Sequence, residues 1–249
     1  MTQRYAMELR GRISVTRSIT GNPIWTIVRL CSIVLILARE VWPHAKMLDP
    51  PSRSTLWRQG YSASVNYDDS QLFCGGYRNV VQNGGKCGVC GDPYQGPHEN
   101  EAGGKYASGI ISRHYDVSDK YLNVTIDLSV FHKGYFEFRI CPNNDVNVRV
   151  KQACLDRYLL KIQSVEFFPV VDGMYMKSGS FIPGSTRYFP EDRGVYDLRL
   201  VIPERLNCSQ CVLQWTHVTG EVKIKIDEVI LSPPGFFFFF LNKVQIAFY

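Results

Sequence analysis

From about residue 108 onward, apolar and polar positions alternate along the chain with a period of two. Tyr121-Leu122-Asn123-Val124-Thr125-Ile126-Asp127-Leu128 shows it plainly. Tyr135-Phe136-Glu137-Phe138-Arg139-Ile140 repeats the pattern, as does Tyr196-Asp197-Leu198-Arg199-Leu200-Val201-Ile202. Successive side chains of a strand point to opposite faces, so alternation marks strands with one buried face. Cys211-Val212-Leu213-Gln214-Trp215-Thr216 is a more apolar run of the same length class. No long pattern of helical period competes. Short β-rich runs separated by turns predict an all-β chain built as an antiparallel sandwich. Residues 44–110 carry turn signals instead, in Asp49-Pro50-Pro51-Ser52, Cys74-Gly75-Gly76 and Asn83-Gly84-Gly85-Lys86. They predict a loop-rich first third of the domain.

The two ends break these patterns. Residues 1–43 are rich in Arg and poor in acid, then turn apolar over 24–28 and 30–38. A basic stretch followed by a short apolar one is the pattern of a secretory leader. The apolar run is far shorter than the roughly 20 residues a bilayer span needs, so no membrane span is expected. A buried helix or a misassigned first exon are the other readings, and a cut between Pro43 and His44 departs from the small-residue rule for leader cleavage. At the other end, residues 221–231 have the texture of one more strand. Ser232-Pro233-Pro234-Gly235 then leads into five consecutive Phe, 236–240. Exposed, such a run is an aggregation hazard. A buried strand, a membrane-touching tail and translation of a non-coding stretch after a mis-spliced boundary all account for it; the last is preferred. The expected organisation is a leader over 1–43, a β-sandwich domain over 44–220 and an atypical tail over 221–249.

Composition narrows the class. With 45% hydrophobic, 13% aromatic and 20% charged residues, the chain is neither disordered nor fibrous. Its 28 Lys and Arg exceed its 23 Asp and Glu, for a net charge of +5. Six of those Arg, against two Glu, lie in the first 43 residues, so the body of the protein is nearly balanced. It lacks the clustered positive charge a nucleic-acid binder needs to displace counterions from phosphates.

Seven cysteines follow the leader: Cys74, Cys87, Cys90, Cys141, Cys154, Cys208 and Cys211. At that density in a chain with a leader they read as a disulfide framework, which agrees with export to an oxidising compartment. Seven is odd, so one thiol is left over. Cys87-x-x-Cys90 and Cys208-x-x-Cys211 invite a zinc reading, but the pairs lie much further apart than those of a zinc ribbon. No Gly-x-Ser-x-Gly elbow, protease cysteine signature or phosphate-cradling loop is present.

Five His are available: His44, His98, His114, His132 and His217. His44 stands directly after the leader. If processing makes it the first residue, it offers an α-amino and an imidazole nitrogen, and a second imidazole would complete a three-nitrogen site suited to copper. His98 and His114 are expected at the surface. Asn123-Val124-Thr125 is an N-glycosylation acceptor, as is Asn207-Cys208-Ser209 formally. Trp57, Tyr61 and Tyr67 are candidates for an aromatic platform or for core packing.

The stretch from His44 through Asp49-Pro50-Pro51-Ser52-Arg53-Ser54 to Trp57-Arg58 resembles the mature start of lytic polysaccharide monooxygenases of auxiliary-activity family fifteen. The match continues in Leu72-Phe73-Cys74-Gly75-Gly76, Gln82-Asn83-Gly84-Gly85-Lys86-Cys87-Gly88-Val89-Cys90-Gly91-Asp92 and Glu101-Ala102-Gly103-Gly104-Lys105-Tyr106. It goes on in His132-x-Gly134-x-Phe136-Glu137-Phe138, Cys141-Pro142-Asn143-Asn144 and Cys208-x-x-Cys211-Val212-Leu213-Gln214-Trp215-Thr216, covering about 44–220. The resemblance implies an immunoglobulin- or fibronectin-like sandwich with one copper ion on a flat face. It implies His44 and His132 as copper ligands and catalytic residues, and an external electron donor with O2 or H2O2 as co-substrate. The implied activity is oxidative cleavage of insoluble chitin or cellulose by a secreted monomer. A non-catalytic carbohydrate-binding module or an inactive truncated relative is the alternative.

The tail departs from that family. Its axial aromatic lies in a C-terminal segment carrying further cysteines, which this chain replaces after about residue 220, so no axial residue is assigned. The same replacement accounts for the odd cysteine, one of Cys74, Cys87, Cys90, Cys208 or Cys211. Cys141 and Cys154, close in sequence, are positioned to pair with each other.

Overall fold

The computed structural model describes residues 45–171, 174–175, 183–219, 225–226, 229–230 and 239–248. The leader expected over 1–43, and His44 with it, lie outside the described residues.

Strands β1 (Ala45–Asp49), β2 (Arg113–Tyr115), β3 (Tyr121–Leu128), β4 (Tyr135–Pro142) and β5 (Ile162–Val171) follow one another with two short helices among them, α1 (Tyr77–Gln82) and α2 (Gln152–Leu155). β6 (Met174–Tyr175), β7 (Arg187–Tyr188), β8 (Gly194–Val201), β9 (Cys211–Val218), β10 (Lys225–Ile226), β11 (Val229–Ile230) and β12 (Phe239–Phe248) complete the fold. One sheet has the order β1-β3-β8-β5-β6 and the other β2-β12-β9-β4-β7. The all-β expectation holds.

Alternation explains the core. Leu122, Val124, Ile126 and Leu128 of β3 are buried, as are Tyr196, Leu198 and Leu200 of β8. Facing them are Phe136, Phe138 and Ile140 of β4 with Leu213 and Trp215 of β9, all in one cluster. Phe136 meets Trp215 and Tyr196 edge-on, at centroid distances of 5.3 and 5.7 Å, and Tyr196 stacks on Phe167 at 4.4 Å. Each such side chain, withdrawn from water, contributes about 2–3 kcal/mol before the ordering entropy is set against it.

β9 is buried at all eight positions. Its outward face is roofed by the segment around α2 and by the loop carrying Val89. Val212 packs with Cys141, Val150 and Leu155, and Gln214 Nε2 donates to the Val89 carbonyl at 2.9 Å. That double cover is why its sequence is a continuous apolar run and not an alternating one.

Two expectations need correction. The single strand anticipated over 221–231 is a pair of two-residue strands, β10 and β11. The sandwich is also not wholly antiparallel, because β12 pairs antiparallel with β9 and parallel with β2. β2 and β12 are far apart in the chain, and the intervening strands provide the long crossover a parallel pair requires. Part of the Phe run thus enters a strand, with Phe239 opposite Val218 and Phe240 opposite His217.

Candidate metal centre

β1 and β3 form an antiparallel ladder that ends at Ala45 opposite Leu128. The chain therefore enters β1 at the end of β3 from which the loop over 129–134 departs. His132 is half-buried in that loop. Phe131 packs against the core on one side of it. On the other side Lys133 (φ 56°) and Gly134 (φ 79°) are both left-handed and return the chain into β4. A Cβ on Gly134 would sit 1.7 Å from the Val218 carbonyl oxygen, so the turn rests directly on the backbone of β9. Only glycine fits there. His132 is thus carried by a turn fixed at both ends on rigid elements.

His217, on β9, was assigned no role from sequence. It is 0% exposed, and its Nε2 donates to the Lys133 carbonyl at 3.1 Å. Its ring is edge-on to Phe136 at 5.0 Å and parallel to Trp215 at 6.3 Å. Burial pushes its pKa down to about 4, against the opposing pull of the Lys133 carbonyl, with His132 adding a smaller downward push. The imidazole beside His132 is therefore neutral at ordinary pH and adds no positive charge where a cation would bind. An imidazole donor on a braced turn with an uncharged neighbour is compatible with copper.

Next to this end of β1, the Ala45 N–H donates to the Ser70 carbonyl at 3.4 Å. The same loop carries Tyr67, 80% exposed, whose ring meets Trp57 edge-on at 5.5 Å. Trp57 Nε1 donates to the Asn66 carbonyl at 3.0 Å, and Arg58 lies over its ring while pairing with Asp69. Tyr61 hydrogen-bonds instead to the Ser112 carbonyl at 3.3 Å and is half-buried, so of the three expected platform aromatics it is a packing residue.

The other histidines lie elsewhere. His114 is exposed on β2, as expected. His98 is not a plain surface residue: it is half-buried, with Nδ1 3.2 Å from a Glu101 carboxylate oxygen. Glu101 belongs to a buried polar knot with Cys90 and Asp92 whose ligand-type atoms lie within 4.8 Å of one another. Most of its polar atoms are paired within it, while Arg53 Nε and Asn100 Oδ1 are buried without a hydrogen bond. Asp92 accepts from the Asn100 N–H and side-chain amide at 3.0 and 2.8 Å, and Glu101 accepts from Val89 N–H at 3.0 Å. Arg53 Nη1 lies 3.5 Å from the Cys90 sulfur and donates to the Asn100 carbonyl at 2.7 Å. Burial pushes the Asp92 carboxyl up, and the two Asn100 hydrogen bonds resist it. A cation already present as Arg53 makes this a structural knot that ties loop to loop.

Three disulfides form among the described residues: Cys74–Cys87, Cys141–Cys154 and Cys208–Cys211. The expected Cys141–Cys154 bridge is present, and the residue left over is Cys90. The zinc reading fails, since Cys87, Cys208 and Cys211 all carry their sulfurs in disulfides. Asn123 is exposed on β3, where a glycan would point outward.

Residues 44–226 match the family model described as lytic polysaccharide mono-oxygenase, cellulose-degrading. The chain belongs to this family. Its structure also resembles that of the lytic polysaccharide monooxygenase AA15 from Thermobia domestica in the Cu(I) state, with a TM-score of 0.67 and 36% identity. That match covers 82% of this chain and 98% of the other. A lytic polysaccharide monooxygenase important for efficient utilization of chitin in Cellvibrio japonicus is a distant likeness, with 12% identity and a TM-score of 0.37 over 82% and 99% of the two chains. No curated protein matches the chain. The membership expected from the sequence motifs is borne out, and the β-sandwich with it. This lytic polysaccharide monooxygenase is a copper-dependent enzyme that acts on insoluble polysaccharide.

Proposed function

We propose that the enzyme is exported, that removal of residues 1–43 leaves His44 as the first residue, and that His44 and His132 together hold one copper ion for oxidative attack on chitin or cellulose. The domain over 44–220 is then the catalytic module, and the atypical tail over 221–249 adds β12 to its second sheet. The observation that carries the reading is the end of the β1–β3 ladder. Residue 45 stands opposite residue 128, and the braced turn bearing His132 begins immediately afterwards. The three disulfides support an oxidising compartment. No described helix is long and apolar enough to cross a membrane.

Copper held there would supply one-electron redox chemistry, drawing on an external donor and on O2 or H2O2 to oxidise a carbon of the glycosidic linkage. The protein's own residues do the positioning. Phe131 and Gly134 fix the turn, so the His132 imidazole is presented without a large ordering penalty when metal binds. Tyr67, met edge-on by Trp57 and exposed on the loop whose Ser70 carbonyl accepts from Ala45 N–H, offers a ring face for a pyranose. Such a ring suits a flat crystalline surface better than a deep cleft would. Asn123 is the expected glycan site.

Mass spectrometry of the secreted protein tests this, with and without one equivalent of copper(II). A mature chain beginning at His44 that gains one copper, and releases oxidised oligosaccharides from chitin or from cellulose, is the expected result. A different N-terminus, or no copper retained, would overturn the ligand assignment.

A further inference from the structure

We propose that His217 is a positioning residue that sets the orientation of His132 by holding the carbonyl of Lys133. The inference rests on the reading of His132 as a copper ligand and goes beyond it, to a side chain that does not itself touch the metal.

His217 is at a costly place for an imidazole. It is fully buried between the sheets, on the inward face of β9 with Leu213 and Trp215. A phenylalanine there would gain apolar burial with no desolvation penalty. What the imidazole adds is a donor. A carbonyl oxygen only accepts, so the contact between Nε2 and the Lys133 oxygen at 3.1 Å requires the proton on Nε2. The bond fixes the tautomer, and the flanking Phe136 and Trp215 rings fix the plane.

The bond falls where it has leverage. Lys133 is a non-glycine residue in the left-handed region, a conformation that ordinary residues resist by about 1–2 kcal/mol. Its carbonyl belongs to the peptide between Lys133 and Gly134, which is one residue past His132. Holding that peptide holds the Cα–Cβ direction of His132 from its C-terminal side, while Phe131 holds it from the other. Groups that hydrogen-bond a metal-ligating histidine directly typically change metal affinity by about 10–100-fold when removed, and His217, acting one peptide further out, is expected at the lower end of that range.

The test uses the chain beginning at His44, loaded with one equivalent of copper(II). Wild type, His217→Phe, His217→Gln and His132→Ala are compared by calorimetric copper affinity, by the electron paramagnetic resonance spectrum of bound copper(II) and by melting of the copper-free protein. Phe keeps a planar ring, somewhat larger, and removes the donor, whereas the Gln amide restores a donor at about the same reach. The expected result is a copper affinity at least 10-fold weaker and an altered copper spectrum in His217→Phe, with both largely restored in His217→Gln. If His217→Phe does not fold, His217→Gln decides: a folded variant with wild-type affinity and spectrum supports the proposal, and a folded variant that has lost both overturns it. Wild-type affinity and spectrum in a folded His217→Phe overturn the positioning role and leave the ligand assignment intact. Copper binding by wild type that survives His132→Ala overturns the ligand assignment, and the positioning role falls with it.

Discussion

Replacing Gly134 with alanine tests the central geometric claim, that the turn carrying His132 lies directly on β9. Two effects oppose a side chain there. The φ of 79° places it in the left-handed region, which costs an L-residue roughly 1–2 kcal/mol. The added Cβ would also stand 1.7 Å from the Val218 oxygen and 2.8 Å from the Thr219 Cα, so the turn must move by more than an ångström. Forced overpacking of this kind adds about 1–3 kcal/mol. The sum is about 2–5 kcal/mol. Gly84 separates the two effects, since it has φ 62° and nothing within 4 Å of where its Cβ would be. Gly84→Ala bears the backbone cost alone, about 1–2 kcal/mol. Urea unfolding of the copper-free proteins reads both values, with melting shifts of about 2–4 °C per kcal/mol for a domain of this size. Gly134→Ala should lose at least 1 kcal/mol more than Gly84→Ala, and copper affinity with it. Equal losses in the two variants would refute the close approach of the turn to β9.

Three further outcomes follow from the geometry. The His217 pKa of about 4 lies below its ordinary 6.5, so below pH 6.5 the unfolded chain binds a proton that the folded chain does not. The stabilisation from the neutral buried ring is therefore complete above pH 6.5 and declines toward pH 4, by about 3 kcal/mol in total. Unfolding free energies at pH 7 and pH 4 should fall more for wild type than for His217→Phe, and parallel declines would contradict the burial. Tyr67→Ala removes an 80% exposed ring, so binding to crystalline chitin or cellulose should weaken several-fold, the equivalent of about 0.5–1.5 kcal/mol, with melting unchanged; undiminished binding removes Tyr67 from the platform. Cys141→Ala with Cys154→Ala opens a loop with a sequence separation of 13 and should cost about 3 kcal/mol in chemical unfolding, and a loss below 1 kcal/mol would show that the bridge constrains little.

The sandwich was legible because its strands obey the period of two: β3, β4 and β8 were readable from alternation alone. β9 was less so, because it is roofed on both faces and its sequence carries no alternation. His132 stood out through its motif, with Gly134 two residues on. His217 did not, since its partner is a backbone carbonyl supplied by a residue distant in sequence, and no side-chain pattern records such a contact. The cysteines divide in the same way. Cys141 and Cys154 lie near each other in sequence, and their bridge was anticipated. The Cys74–Cys87 pairing depends on the path of a loop through α1, which composition does not specify. The Cys90–Arg53 knot joins residues from separate loops and was invisible for the same reason.

β12 lies along β9 over eight consecutive positions, from Phe239 opposite Val218 to Ile246 opposite Cys211. In that place it acts as a shield. Without it, β9 would present a long row of unsatisfied N–H and C=O groups next to Val212, Leu213 and Trp215, open to an extended segment of any chain with a matching face. A shortened product of the same gene would then be prone to pair with copies of itself, and the fate of such a product in the secretory pathway would be decided at this edge before any question of catalysis arose.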